Sequence, residues 1–115
     1  MLLFGTGCEL PSAAFQGEGI RFPHLNGIVV SDKARIGSGR TLFHQVTLGI
    51  ASEEDGDSAP VVLNNVTIGA GSKIIGPITI GNNVIVGANS VVTKSIPQDV
   101  TVVGANRILK RKVQQ

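Results

Sequence analysis

An all-β fold, a parallel β-helix of triangular cross-section, is the class this sequence predicts, and three observations carry the prediction. Val (14) and Ile (12) supply more than half of the 48 apolar residues, with aromatics at 3% and neither Trp nor Tyr. Such β-branched side chains suit pleated strands and are poor helix formers. Aliphatic residues also recur every six positions, as Val30, Ile36, Leu42, Leu48 and again as Val62, Ile68, Ile74, Ile80, Val86, Val92. Two places before each marker stands a small or β-branched residue, for example Ala34, Val46, Val66, Ser72, Val84 and Ser90; Arg40 and Pro60 break this rule.

A six-residue period fits neither an α-helix nor a long strand, but it fits a coil with three flat sides of one hexad each. The markers point inward, and Gly follows them at 17, 37, 49, 69, 81 and 87, where a corner can demand unusual φ/ψ. Thirteen markers, counting an upstream run Leu10, Gln16, Phe22, make about four coils stacked at strand spacing, about 4.8 Å.

The elements follow in chain order. Between Phe22 and Val30 the period slips by two, so Pro23-His24-Leu25-Asn26 bulges from a corner. Between Leu48 and Val62 it slips by eight, which extrudes residues 50–61 as a polar loop. Loops on rigid solenoids commonly carry function. After Val92 the period ends, so residues 1–96 form the β-helix domain and 97–115 a C-terminal segment with a basic tail.

Charge and composition exclude several functions. The net charge of +2 gives no electrostatic case for nucleic acid or an anionic membrane, and four Phe make a poor base-stacking platform. One cysteine excludes a disulfide framework and a Cys-rich zinc site; Cys8 falls on a small inward position and reads as an inert buried thiol. No apolar run approaches the roughly 18 residues of a membrane span, and the start MLLFGTG lacks a basic n-region. A cytoplasmic protein is expected.

Adding the insertions to an 18-residue coil places His24, His44, Ala70 and Ala88 in one column along an edge. Its upper half carries the twin segments Gly69-Ala70-Gly71-Ser72 and Gly87-Ala88-Asn89-Ser90, whose small side chains leave a backbone groove for an extended ligand or simply suit a tight corner. The two His fall short of the three or four ligands zinc needs, so no metal is expected. A His base suits the edge better, since an imidazole near its ordinary pKa can take a hydroxyl proton. No nucleophile elbow, P-loop or dinucleotide fingerprint is present.

Hexapeptide repeats with a His-bearing bulge and an extruded loop resemble the acyltransferases of the left-handed β-helix class. Within it, P-H-L-N-G-I-V-V (23–30), Q-V-T-L-G (45–49), I-G-A-G-S-K-I-I-G (68–76), V-G-A-N-S-V-V-T-K (86–94) and the closing V-V-G-A-N-R-I are similar to the catalytic domain of the serine acetyltransferase family. The resemblance covers residues 7–109. It implies an acetyl-CoA-dependent O-acetyltransferase acting on a small, serine-like hydroxyl acceptor, with His24 as general base and Glu9 as the carboxylate that orients it. Acetyl-CoA would lie in the groove between adjacent β-helices along Gly49, Ala70, Gly71 and Ala88, with Lys94, Lys110, Arg111 and Lys112 as cations for its phosphates.

His44, where the family usually has Gln, and Asp57 would contact the acceptor. Ser58 and Ala59 stand where the family's loop holds an Arg-His pair, and Gly-Ala-Asn-Arg (104–107) is one residue short of the family's closing motif. Sugar or polysaccharide-precursor acceptors are therefore the competing class. A non-catalytic scaffold is a further alternative, and the His count argues against a carbonic anhydrase on the same fold. The prism is thin, so a homotrimer with sites between subunits is expected. The family's N-terminal helical domain has no counterpart here, which favours a trimer over a hexamer.

Overall fold

The computed structural model describes residues 2–3, 7–52 and 59–110. The chain opens with β1 (Leu2–Leu3) and β2 (Glu9–Leu10), then a short 3-10 turn at Ser12–Ala14. The first full coil brings β3 (Val29–Val30), β4 (Arg35–Ile36) and β5 (Thr41–Leu42). Next come β6 (Thr47–Gly49), β7 (Val61–Val62) and β8 (Thr67–Ile68), and above them β9 (Lys73–Ile75), β10 (Thr79–Ile80) and β11 (Ile85–Val86). The chain closes with β12 (Val91–Val92), β13 (Val100–Val103) and β14 (Arg107–Lys110).

These short strands stack into three sheets. The first holds β2, β3, β6, β9 and β12 in parallel, the second β4, β7 and β10, the third β5, β8, β11 and β13. Two antiparallel strands close the ends, β1 against β2 and β14 against β13. Val29 pairs with Thr47 eighteen residues on, and Thr47 with Lys73 after twenty-six, so the loop adds eight residues without disturbing the register.

Every inward aliphatic marker from Val30 to Val92 is buried, as are the small residues two places before, including Cys8, Ala34, Ser72 and Ser90. The regular solenoid runs further than the six-residue period does. Ile96 bridges to Ile80 and Val102 pairs with Val86, sixteen residues apart in each case, and both are buried. With these two, each side of the prism is five rungs deep rather than about four.

One marker is displaced. Gln16 is exposed, and Phe15 takes the inward place, bridging to Ile36 and packing on the core. The turn that follows Pro11 sets this phase, with the Phe15 N–H donating to the Ser12 carbonyl, and a ring is cheaper to bury than an amide. Phe15 then meets Phe22 edge-on, with centroids 6.0 Å apart.

The glycine after the marker answers to a different need from the one its spacing suggests. A Cβ on Gly69 would lie 2.6 Å from the Ala88 nitrogen, and one on Gly81 2.6 Å from that of Gln98. At Gly17, Gly69 and Gly81 the backbone of the next coil crosses too close for a side chain, while positive φ falls elsewhere: on Gly39, Asn65, Asn83 and Asp99 at one edge, and on Gly27, Gln45, Gly71 and Asn89 at another.

Arg40 is the exception that the repeat flags and the core accepts. It stands in the inward column of Val66, Val84 and Val100, fully buried. Nη2 donates to the Val62 carbonyl at 2.9 Å and to Asn64 Oδ1 at 3.4 Å, while Nε and Nη1 have no partner among the described residues. Burial pushes its pKa down to about 10. That lowering equates to about 3 kcal/mol against the charged form, present in full at neutral pH and fading only above about pH 10.

Arg40→Met is therefore expected to stabilise the fold. The unbranched thioether follows the same path without a charge, and neither acceptor is orphaned. The Gly37 N–H still donates to the Val62 carbonyl, and the Ser38 N–H to Asn64 Oδ1. A gain of about 1–3 kcal/mol, several degrees in Tm, is the expected calorimetric result. A lower Tm would mean that the bond to Val62 outweighs the desolvation.

Candidate active site

The edge between the third and first sheets carries the bulge. The Asn26 N–H donates to the His24 carbonyl at 3.0 Å, which folds the bulge on itself, and the Gln45 N–H donates to the Asn26 carbonyl at 2.7 Å, which ties it to the next coil. The column deduced from the spacing holds from His44 upward, while the backbone rung beneath His44 is Asn26, and His24 joins the edge from the bulge through its ring. The Gly71 N–H donates to the His44 carbonyl and the Asn89 N–H to that of Ala70, so corners 44–45, 70–71 and 88–89 lie one above another.

His24 is exposed and His44 half-buried, with ring centroids 5.7 Å apart and planes at 84°. His24, Leu25, Asn26, His44 and Gln45 line an open cleft of about 520 Å³. His44 Nδ1 is buried without a hydrogen-bond partner among the described residues. Among the described residues, no three His, Cys, Asp or Glu side chains come together as a metal site would need. An exposed imidazole in an open cleft can take a proton from a bound hydroxyl, and the half-buried one beside it can hold a polar group.

The other candidate residues are scattered. Ala70 is half-buried and Ala88 exposed, both on this edge, with Gly71 between the rungs. Gly49 pairs with Ile75 at the opposite end of the first sheet, beside the extruded loop. Glu9 lies on the lowest rung of that sheet with an exposed side chain, and no hydrogen bond or ion pair joins it to His24. Lys94 follows β12 at the loop's edge, and Lys110 pairs with Val100 at the far end of β13, so neither reaches the Ala70–Ala88 edge within one chain. The base at the near end is Arg107, opposite Val103. Asp57, Arg111 and Lys112 lie outside the described residues.

Two residues at the site escape the sequence reading. Gln45 adopts φ 57, and the Lys73 ammonium donates to the carbonyls of Gln45 and Gly71, at 3.1 Å each. The signal for Lys73 is its place two residues after the corner Gly71, on the strand above Thr47.

Comparison with known proteins agrees with this geometry. Residues 59–94 match the family described as bacterial transferase hexapeptide (six repeats). A serine acetyltransferase from Synechococcus elongatus is 42% identical over 99 residues, which are 86% of this chain and 41% of that protein. The crystal structure of Neisseria gonorrhoeae serine acetyltransferase superposes with a TM-score of 0.82 at 36% identity, covering 89% of this chain and 40% of that one. The Brucella abortus enzyme in complex with coenzyme A gives 0.81 at 36%, covering 89% and 42%. The chain thus spans about two-fifths of the length of these relatives. Residues 59–94 carry the bacterial transferase hexapeptide repeat, and over most of its length the chain is similar to serine acetyltransferases and shares their left-handed parallel β-helix.

Proposed function

We propose that this chain is an acetyl-CoA-dependent O-acetyltransferase acting on a small, serine-like hydroxyl acceptor. The observation that carries the reading is the exposed His24 on a bulge over an open cleft, at the foot of a column of small side chains. The serine acetyltransferase names of its relatives and the coenzyme A in the Brucella structure support it.

The residues fit the co-substrate. Ala70, Gly71 and Ala88 leave the corner backbone open for a thin pantetheine chain, and Arg107 stands at the upper end for a phosphate. Lys94 and Lys110, away from this edge within one chain, would reach a phosphate only from a neighbouring subunit of the inferred trimer. His24 takes the proton of the acceptor hydroxyl as that oxygen attacks the thioester carbonyl carbon, and returns it to the departing thiolate. Glu9, which does not contact His24 in this structure, would have to turn toward the bulge to orient the imidazole and stabilise its protonated form. Corner N–H groups hold the developing oxyanion.

A second acceptor class has one observation in its favour. The described lining of the cleft holds no carboxylate, Lys or Arg side chain, only two amides, two imidazoles and a Leu, which suits the hydroxyls of a sugar.

The assembly we infer is a cytoplasmic homotrimer. Leu63, Ile85, Val91, Ile108 and Leu109 are each more than a third exposed, apolar surface that neighbouring prisms would cover. No helix is long and apolar enough to cross a membrane among the described residues.

Free thiol released from acetyl-CoA, followed with and without L-serine, tests the activity. Acceptor-dependent release is expected. A chain that binds no acetyl-CoA in calorimetry would remove the reading.

A further inference from the structure

The corner that presents His44 is built under strain. Gln45 is the only described residue other than Gly, Asn or Asp with a positive φ, at 57°. A residue with a full side chain adopts that conformation only where its surroundings enforce it, and such positions cluster at functional sites. Here the enforcement is visible. The Gln45 N–H donates to the Asn26 carbonyl at 2.7 Å, and the Lys73 ammonium donates to the Gln45 carbonyl at 3.1 Å and to the Gly71 carbonyl at 3.1 Å. The Gly71 N–H holds the His44 carbonyl at 3.0 Å.

What this clamp holds in place is an imidazole with an unmet demand. His44 lies edge-on to His24 in the same cleft, and its Nδ1 is buried without a partner among the described residues. Buried polar atoms are nearly always paired, so an orphan beside a reactive group points to a ligand contact. The ring can donate or accept there, according to its tautomer.

We propose that His44 is a specificity-determining residue for the acceptor. Its Nδ1, brought to the cleft by rotation of the ring, hydrogen-bonds a polar substituent on the carbon next to the one bearing the reacting hydroxyl, and Lys73 is a positioning residue that acts through Gln45. The proposal rests on the acyl-transfer reading of His24. The same chemistry is offered by the charged groups of serine and by the neighbouring hydroxyl of a polyol; ethanol offers none.

The test compares L-serine, glycerol and ethanol as acceptors with the full chain at saturating acetyl-CoA. His44→Phe keeps the ring contact with His24 and removes both nitrogens. It is expected to lower kcat/KM for serine or glycerol by about tenfold or more, through acceptor KM, with the KM for acetyl-CoA within about twofold. His44→Asn, whose amide lies near the place of Nδ1, should recover much of the loss, and His44→Gln less. Lys73→Met should show the same pattern more weakly, with Lys73→Arg restoring it. The acceptor that loses more identifies the substituent.

Wild-type kinetics in His44→Phe would overturn the proposal and leave only ring packing. A parallel rise in both KM values would overturn it too, since that reports general damage to the site. Failure of the unaltered protein to bind acetyl-CoA, or to transfer to any of the three, would instead overturn the acyl-transfer reading and this inference with it.

Discussion

His24→Ala is expected to lower kcat by at least ~10²-fold, the usual scale for losing a general base, while acetyl-CoA still binds. The residue is exposed, so its removal opens no cavity in the core, and the bulge is held by the backbone bonds of Asn26 and Gln45 rather than by the ring. The fold should therefore be unchanged in circular dichroism and the loss should be chemical. His44→Ala should cost less in kcat, because that ring is half-buried and serves to hold the acceptor. Initial rates of thiol release at saturating acetyl-CoA and acceptor decide between them. If His44→Ala proved the more damaging in kcat, the two imidazoles would have to exchange roles.

Most of the fold was legible because a solenoid repeats the same local problem. An inward aliphatic every sixth residue, with a small residue two places before it, is a short-range pattern, and nearly every such position is buried. Counting the insertions into the coil placed His24, His44, Ala70 and Ala88 on one edge for the same reason.

What escaped depends on neighbours a whole coil away. Gly69 is glycine because Ala88 crosses it, and that contact has no signature within its own hexad. Phe15 displaced Gln16 because the turn after Pro11 reset the phase before the next strand began. The last coil is two residues short, so Ile96 and Val102 fell outside a strict period although they continue the core. Lys73 stands at an ordinary outward position of the repeat, between the inward Ser72 and Ile74. Its role comes from the carbonyl of Gln45, twenty-eight residues earlier, and only the stacked corners bring the two together.

Ala88→Trp is expected to weaken acetyl-CoA binding by roughly two orders of magnitude, about 3 kcal/mol. Ala88 is exposed on the corner above Ala70, so an indole there projects from the edge instead of entering the core, and the prism has no reason to unfold. The corner itself is fixed by the Asn89 N–H to the Ala70 carbonyl, which the substitution leaves alone. Bulk is a sharper probe than charge at this end, since Arg107, Lys94 and Lys110 are all exposed and surface ion pairs are worth only about 0–1 kcal/mol each. Ala13→Trp is the matched control, an exposed alanine on the turn after Pro11 and away from this edge. Calorimetric titration with acetyl-CoA reads the affinity, and light scattering shows whether the assembly survives. A trimeric Ala88→Trp protein that binds acetyl-CoA as tightly as Ala13→Trp does would show that the co-substrate does not run along this edge.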